Sequence, residues 1–270
     1  IPALYDGRFV AIPVEVVLAD VARLAADGVR HLTFADPDFL NGPTHAMRVA
    51  RAVHAAHPSM TFDITTKVEH VLAHRALLPE LAALGAVFAV TAVESLDDRV
   101  LTILRKGHTG QDARDAVTAL ETAGISARPS LMPFSPWESI EGYGTLLDWI
   151  ADRGLEDRID PVQLSIRLLV PPGSLLERDP AMVPHLRGLD AERFQLRWEH
   201  PDPRMDRLHR EVDAIARQAA SADEAAAATL ERIREAWARM VGRAPSRRAD
   251  PVPPRLDHAG PPRLTEPWFC

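Results

Sequence analysis

Apolar residues recur along the chain with two different spacings, which predict alternating helices and strands. The first helix begins near Pro13 and ends at Gly28, and its apolar face consists of Val14, Val17, Leu18, Val21 and Leu24. The same spacing and end signals predict helices over residues 43–57, 74–84, 109–124, 135–154, 205–219 and 222–241. Two of these helices open on a capping-box sequence, at residues 135–138 and 221–224.

Short runs with strand character lie between the helices. They cover residues 30–35, 61–66, 86–93, 127–132 and 161–170, and several are apolar on both faces. Their starts lie about 25 to 40 residues apart, which is the length of a βα unit. This order predicts an α/β fold with a parallel sheet.

The series opens on a helix, so its first strand is expected to be missing. A partial (β/α)6 barrel is favoured over a flat doubly wound sheet, although periodicity does not decide between them. In either architecture, functional side chains lie where the strands finish. We expect three regions: the partial barrel over 1–176, a loop and helical extension over 177–242, and a proline-rich extended tail over 243–270 that ends at Cys270.

Composition excludes several classes of partner. The chain has 270 residues, with 31 Lys and Arg against 38 Asp and Glu, and its formal charge of −7 argues against a general nucleic-acid-binding surface. No apolar run is long enough to span a bilayer, so we expect a cytoplasmic protein without a membrane partner. Cys270 is the one cysteine, which excludes an internal disulfide and a metal or iron–sulfur site built from cysteines of this chain alone. The chain begins with Ile1 rather than methionine, and we expect both of its ends to be points of truncation.

Polar residues follow three of the predicted strands. Asp36 and Asp38 could hold a cationic amino group or a divalent metal, or Asp38 and Asn41 could simply cap the next helix. Lys67 could form a Schiff base if desolvated, and otherwise pairs with a carboxylate. Glu94 and Ser95 could bind hydroxyls or amines, or supply charge at a helix N-terminus.

Basic side chains within and beyond the strands are further candidates. Arg128 and Arg167 lie among apolar neighbours and need an anionic partner, which is either substrate or one of the strand-end acids named above. His70 and His74 have the spacing of a zinc-binding helix, but Val71 replaces the glutamate of that motif and no third ligand is evident, so a helix surface is predicted. No glycine-rich nucleotide fingerprint is present.

Six segments carry a resemblance to a known family. They are IPALYDGRF (1–9), HLTFADPDFLNGPTHA (31–46), FDITTKVEH (62–70), AVESLDDRVLTILRKGHT (92–109), PVQLSIRLLVPPGSLL (161–176) and LTEPWFC (264–270). Together they resemble radical SAM proteins, and more narrowly the group with a CUAEP or CCAEP tail. The resemblance implies a [4Fe-4S] cluster held by Cys-x3-Cys-x2-Cys after the first strand, S-adenosylmethionine as cofactor, an electron donor, and a substrate that the sequence does not identify.

The resemblance also implies roles for individual residues. Asp36 and Asp38 fall where the family contacts the amino group of the cofactor, and Glu94 and Ser95 where it contacts the ribose or carboxylate. Lys67, Arg128 and Arg167 are further candidates for cofactor or substrate contacts. The cluster cysteines are expected upstream of Ile1, so the chain as written should be an inactive fragment. This chain also lacks the Gly-Gly-Glu common at the second strand, which leaves the choice between Asp36 and Asp38 open.

The tail is the second mark of the group. Its name describes a cysteine followed by selenocysteine or cysteine and then Ala-Glu-Pro, whereas this chain ends at Cys270. We expect the next codon to be a UGA that encodes selenocysteine, with Cys270 in a redox pair. Two alternatives stay open: an ordinary barrel lyase, aldolase or metal-dependent hydrolase that uses Lys67 or Asp36, Asp38 and Glu94, and a non-catalytic binding scaffold.

Overall fold

The computed structural model describes residues 10–243, so the predictions on residues 1–9, on the tail beyond Arg243 and on Cys270 lie outside the described part. The chain forms nine helices and six strands there, besides short 3-10 turns. The helices are α1 (Val14–Ala26), α2 (Pro43–Ala56), α3 (Val68–Ala73), α4 (Leu78–Ala83), α5 (Asp98–Ile103), α6 (Gly110–Thr122), α7 (Ile140–Arg153), α8 (Pro203–Ser221) and α9 (Ala226–Met240). The strands are β1 (His31–Thr33), β2 (Thr61–Thr66), β3 (Ala86–Glu94), β4 (Ser126–Leu131), β5 (Leu186–Asp190) and β6 (Gln195–Trp198).

Four strands form one sheet in the order β1-β2-β3-β4, and the β1–β2 and β2–β3 pairs are parallel. Alternation along β2 gives the sheet two different faces. Phe62 and Ile64 are fully buried on one face, and Thr61, Asp63 and Thr65 lie on the other. The predicted α/β fold with a parallel sheet is therefore confirmed, with four strands in the described part of the chain.

The chain divides into two compact units. The first contains residues up to Ala92 together with Asp112–Arg128, and the second contains Val93–Gln111 and the residues from Pro129 onward. An aromatic cluster in the first unit packs the Phe34 ring against Phe39 and Phe62. In the second unit, a core cluster is formed by Val100, Trp137, Leu168, Val170, Met182 and Trp198. The three predicted regions do not follow these units, and they stay predictions.

The predicted strand over 161–170 does not form. Residues Pro161–Ser165 form a 3-10 turn instead, because the Asp160 carboxylate accepts the Val162 N–H and Pro161 has no N–H to give to a ladder. A single parallel bridge follows, between Phe134 and Arg167. The apolar spacing of this segment fits a turn that buries Leu164 as well as it fits a strand.

The predicted helix over 74–84 begins earlier and is broken. It starts at Val68 as α3, passes through a 3-10 turn at Arg75–Leu77 and resumes as α4. Pro79 lies in the first turn of α4, where its ring and missing N–H disfavour one continuous helix.

Both predicted capping boxes are wrong. Helix α7 begins later than predicted, after Ser139, whose Oγ accepts the Gly142 N–H at 2.9 Å. Helix α8 continues through Ser221, and α9 begins after Ala225. The carboxylate of Glu224 accepts hydrogen bonds from Thr229 and Arg232.

The predicted loop-rich stretch before α8 also contains an antiparallel hairpin, β5–β6. No helix among residues 10–243 is long and apolar enough to cross a bilayer.

Candidate functional site

A polar cluster lies at the end of β2 in the first unit and centres on Asp38. Its carboxylate lies 2.9 Å from Nδ1 of His70, accepts the backbone N–H of Lys67 at 3.2 Å and lies 3.8 Å from the Lys67 ammonium. Asp36 accepts the N–H of Asp38 at 2.9 Å, which fixes the turn after β1. The turn therefore aims Asp38 at the carboxyl end of the neighbouring strand.

This geometry decides two of the alternatives at the strand ends. The Asp38 side chain makes no capping hydrogen bond to the following 3-10 turn, and Gly42 is the N-cap of α2, so the capping explanation is wrong. The Lys67 side chain is 53% exposed and its ammonium lies 3.2 Å from Glu69, so it is solvated and paired with carboxylates. A Schiff-base lysine needs a desolvated amine, and Lys67 does not have that environment.

Strand β3 ends in a strained turn at Glu94. This residue has a φ of 65°, and the N–H of Ser95 donates to the carbonyl of Val93 at 2.8 Å, which closes a γ-turn around Glu94. The Glu94 carboxylate then lies 3.0 Å from the Lys106 ammonium. A side chain held in a sparsely populated backbone conformation is a mark of functional sites, because the strain has to be compensated elsewhere.

Ser95 points away from solvent, into a buried pair with Glu138. Its Oγ donates to Glu138 at 2.7 Å and accepts the N–H of Asp97 at 3.0 Å, and Ser95 is 1% exposed. Burial raises the pKa of Glu138 to about 7, against the opposing effect of the Ser95 hydrogen bond. In this structure the Ser95 hydroxyl is fully engaged by protein groups. Asp97 caps α5, and its carboxylate accepts the N–H groups of Arg99 and Val100.

A buried carboxylate that the sequence interpretation missed lies on the polar face of the sheet in the first unit. Asp63 is 2% exposed and accepts hydrogen bonds from Nε2 of His31 at 2.9 Å and from the Thr33 hydroxyl at 2.8 Å. The His31 ring stacks on the Phe88 ring, and the Arg128 guanidinium lies 3.8 Å from the centroid of the Phe88 ring. Arg128 therefore belongs to the network around Asp63. The alternation of Asp63 between Phe62 and Ile64 could have indicated it.

Arg167 lies in the second unit, in a rigid setting. Its guanidinium donates to Asp206 at 2.6 Å and to the Trp198 carbonyl at 2.8 Å, and it stacks on the Trp198 ring at 3.6 Å from the centroid. Arg167 is therefore paired with a protein carboxylate, but with Asp206 rather than with one of the strand-end acids that the sequence suggested. His209 lies against Phe134, and burial lowers its pKa.

Within residues 10–243, no three His, Cys, Asp or Glu side chains are grouped so that they could hold a metal ion. His70 does not pair with His74 in a metal site but contacts Asp38, and the two rings lie 6.3 Å apart. Lys106 is a second residue that sequence reasoning did not single out. Its only signal was its place in the segment LRKGHT, which folds back on the end of β3 through positive φ angles at Arg105 and Gly107.

The comparisons with known proteins bear on the fold. No protein-family model matches the chain, and no curated protein matches it. Three solved structures of the cobalamin-dependent S-adenosylmethionine radical enzyme OxsB are similar to it. With aqua-cobalamin and S-adenosylmethionine bound the TM-score is 0.62, with aqua-cobalamin alone it is 0.61, and for the apo enzyme it is 0.60.

Each of these matches has 14% sequence identity and covers 78% of this chain. The chain spans 37% of the length of OxsB. At this identity the comparison shows the fold alone. The α/β fold of this chain, with its parallel four-stranded sheet, resembles part of a radical SAM barrel.

Proposed function

We propose that this chain belongs to a radical SAM enzyme and supplies residues that bind S-adenosylmethionine. The observation that carries the proposal is the match in fold to OxsB, at a TM-score of 0.62 over 78% of this chain. The strained Glu94 and the Asp38 cluster support it, because both lie where strands of the sheet finish and neither is explained by capping.

Taken one unit at a time, the side chains at the strand ends match individual polar groups of the cofactor. S-adenosylmethionine carries an ammonium, a carboxylate and two ribose hydroxyls, and it supplies the radical chemistry when it is reductively cleaved. The Asp38 carboxylate, fixed by the backbone N–H of Lys67 at the end of β2, can accept the ammonium. The Glu94 carboxylate can accept ribose hydroxyls, and the Lys106 ammonium 3.0 Å away fixes its position.

The residues of this chain do not fit an iron–sulfur cluster. Such a cluster is held by several cysteine thiolates, and the chain has one cysteine, Cys270, which lies outside the described residues. No step through a cluster is therefore derived from this chain. The chain's own contribution under this proposal is a set of strand-end side chains that bind and orient the cofactor and place charge beside it.

Binding of S-adenosylmethionine tests the proposal directly. Saturation-transfer NMR detects weak complexes, and we expect transfer from the full chain to the adenine and ribose protons of S-adenosylmethionine. Asp38→Asn and Glu94→Gln should each weaken binding about tenfold or more, because each removes a charge-assisted hydrogen bond.

The matched control for these variants is Asp20→Asn. Asp20 lies on the exposed surface of α1 and pairs with Arg23, so its replacement removes the same charge and should leave binding unchanged. Absence of transfer from the unaltered chain to S-adenosylmethionine, or equal binding by all variants, would contradict the proposal.

The narrower proposal is the group with a CUAEP or CCAEP tail, and it is supported by the order of the six sequence segments. It gives Cys270 a redox role beside a selenocysteine or a second cysteine. The gene sequence before and after the segment that encodes this chain tests the narrower proposal. We expect UGA followed by codons for Ala-Glu-Pro after Cys270, and a Cys-x3-Cys-x2-Cys motif before Ile1. Any other stop codon, or a frame without that tail, would exclude this group and leave the broader proposal intact.

A further inference from the structure

A groove with an excess of arginine lies in the second unit, between the β5–β6 hairpin and the first turns of α8. It consists of a cavity of about 620 Å³ and an adjoining one of about 440 Å³, and the two share Arg167, Trp198 and Glu199. The walls carry two carboxylates, Glu199 and Asp206, against six arginines: Arg167, Arg187, Arg193, Arg197, Arg207 and Arg210. We refer to these residues as the basic groove.

The two carboxylates of the basic groove are already neutralised. Both oxygens of Asp206 are engaged, one by Arg167 at 2.6 Å and the other by the backbone N–H of His200 at 3.1 Å. Glu199 accepts from Arg187 at 2.7 Å. Neither carboxylate is therefore left to repel an anion or to pair with a further arginine of the groove.

Four arginines of the groove keep their charge uncompensated. Arg193, Arg197, Arg207 and Arg210 make no ion pair with any residue in the range 10–243. Arg207 and Arg210 lie one turn apart on α8, so their guanidinium groups converge on the same cavity. This arrangement contrasts with a chain whose formal charge is −7.

The floor of the groove is rigid. Arg167 is clamped by Asp206, by the Trp198 carbonyl and by stacking on the Trp198 ring. The Trp198 indole in turn donates to the Leu168 carbonyl at 2.8 Å and is buried. The groove also lies beyond the carboxyl end of β4, because Arg167 pairs with Phe134 three residues after that strand. A preorganised floor reduces the entropy lost when a ligand binds.

We propose that the basic groove binds a small molecule through a phosphate or carboxylate group held by Arg207 and Arg210. Arginine guanidinium matches both anions with paired N–H donors, and the larger cavity has the volume of an ordinary small-molecule site. The basic groove consists of other residues than the cofactor contacts proposed above, and it needs neither a cluster nor S-adenosylmethionine.

Calorimetric titration of the full chain with inorganic pyrophosphate and with citrate tests the proposal. We expect saturable binding of at least one of the two anions, weakened by added potassium chloride. The double variant Arg207→Gln/Arg210→Gln should lose about tenfold or more in affinity, because two charge-assisted contacts are removed. Both side chains are exposed, so the substitutions leave the core of α8 intact, and circular dichroism checks this.

The matched control is Arg48→Gln/Arg75→Gln. These arginines are also exposed, make no ion pair among residues 10–243, and do not line the groove. The control should bind as the unaltered chain does. Stronger binding of pyrophosphate identifies a phosphate ligand, and stronger binding of citrate identifies a carboxylate ligand. Equal loss in both double variants, no loss in either, or binding of heparin alone would overturn the proposal.

Discussion

Two glutamates of the second unit are held in settings that cost stability. Glu94 is held at a φ of 65°, a conformation that costs a non-glycine residue about 1 to 3 kcal/mol, and its carboxylate is kept beside Lys106. Glu138 is 5% exposed and bonded to Ser95, and burial raises its pKa to about 7. The backbone conformation of Glu94 and the burial of Glu138 each lower stability, and the rest of the fold has to compensate for both.

Replacing Glu94 separates backbone strain from side-chain charge. Glu94→Gln removes the carboxylate and keeps the strain, whereas Glu94→Gly removes both. We expect Glu94→Gly to be more stable than Glu94→Gln by about 1 kcal/mol, since glycine adopts a positive φ without steric cost. Urea denaturation followed by circular dichroism measures the difference. Equal midpoints for the two variants would show that the γ-turn is unstrained.

The stability of the protein should depend on pH through Glu138. Its pKa is about 7 in the folded state and near 4.5 in the unfolded state, so the folded state binds more protons between these values. Stability is therefore greatest below about pH 4.5 for this group, falls as pH rises through the window and levels off above about pH 7. The total is about 3 kcal/mol at most.

Glu138→Gln should remove this fall, because glutamine stays neutral and still accepts the Ser95 hydroxyl. Urea midpoints measured from pH 5 to pH 8 should decline less steeply for this variant than for the unaltered chain. Glu141→Gln is the control, since Glu141 is exposed nearby in the first turn of α7. The same slope in all three proteins would contradict the assignment to Glu138.

At the residue scale, the sequence predicts where a functional side chain lies more readily than which side chain it contacts. The order of strands and helices was enough to place Asp38 and Glu94 at strand ends. The partners of these residues, His70 and Lys106, lie 32 and 12 positions away, and only the folded chain shows which acid meets which base. Glu138 was assigned to a capping box because sequence spacing cannot show that its carboxyl turns inward to Ser95.

At the scale of elements, close packing decides how the helices of the second unit meet. Gly144 of α7 lies directly against the Trp237 ring of α9, and a Cβ on Gly144 would overlap that ring. The Trp237 indole N–H also donates to the Ile140 carbonyl at 2.7 Å, which fixes the ring. The contact thus requires glycine inside a helix, where glycine costs about 1 kcal/mol relative to alanine.

We expect Gly144→Ala to destabilise the protein by about 1 to 3 kcal/mol despite its better helix propensity, because the added methyl group has no space. Trp237→Leu opens that space, so Gly144→Ala should cost less in a Trp237→Leu background than alone. A double-mutant cycle on urea midpoints measures the coupling. A coupling of zero would mean that the two helices adjust without strain.

Elements with strong local signals are those that sequence predicts best. Strand β2 has the predicted bounds and α2 differs by one residue, since apolar period, Pro43 and Pro58 all agree there. The strand prediction for residues 161–170 is wrong because Asp160 and Pro161 favour a turn over pairing with a neighbouring strand. The β5–β6 hairpin was missed because its strands are short and lie among prolines that indicate loops.

At the scale of the whole molecule, the cysteine count limits the chemistry more than the fold does. The sheet resembles part of a radical SAM barrel, yet 270 residues contain one cysteine. A cluster needs several thiolates to bind. The fold and the ability to bind an iron–sulfur cluster therefore have to be tested separately.

Anaerobic incubation with iron and sulfide tests whether this chain binds an iron–sulfur cluster. The 270-residue chain should stay colourless after desalting, retain far less than one cluster of iron per chain and release no 5′-deoxyadenosine from S-adenosylmethionine. A gene product that adds an upstream Cys-x3-Cys-x2-Cys motif should turn brown under the same treatment. Stoichiometric iron in the shorter chain would contradict this expectation.

Helix α1 has one further consequence for the behaviour of the chain in solution. Of its thirteen residues, all within the described part, Val21 alone is buried, while Val16 is 54% exposed and Leu24 is 36% exposed. Each square ångström of apolar surface left in water costs about 25 cal/mol relative to burial. The apolar area that Val16 and Leu24 leave in water therefore favours concentration-dependent self-association, and light scattering over a dilution series should show a mass that falls toward that of a monomer.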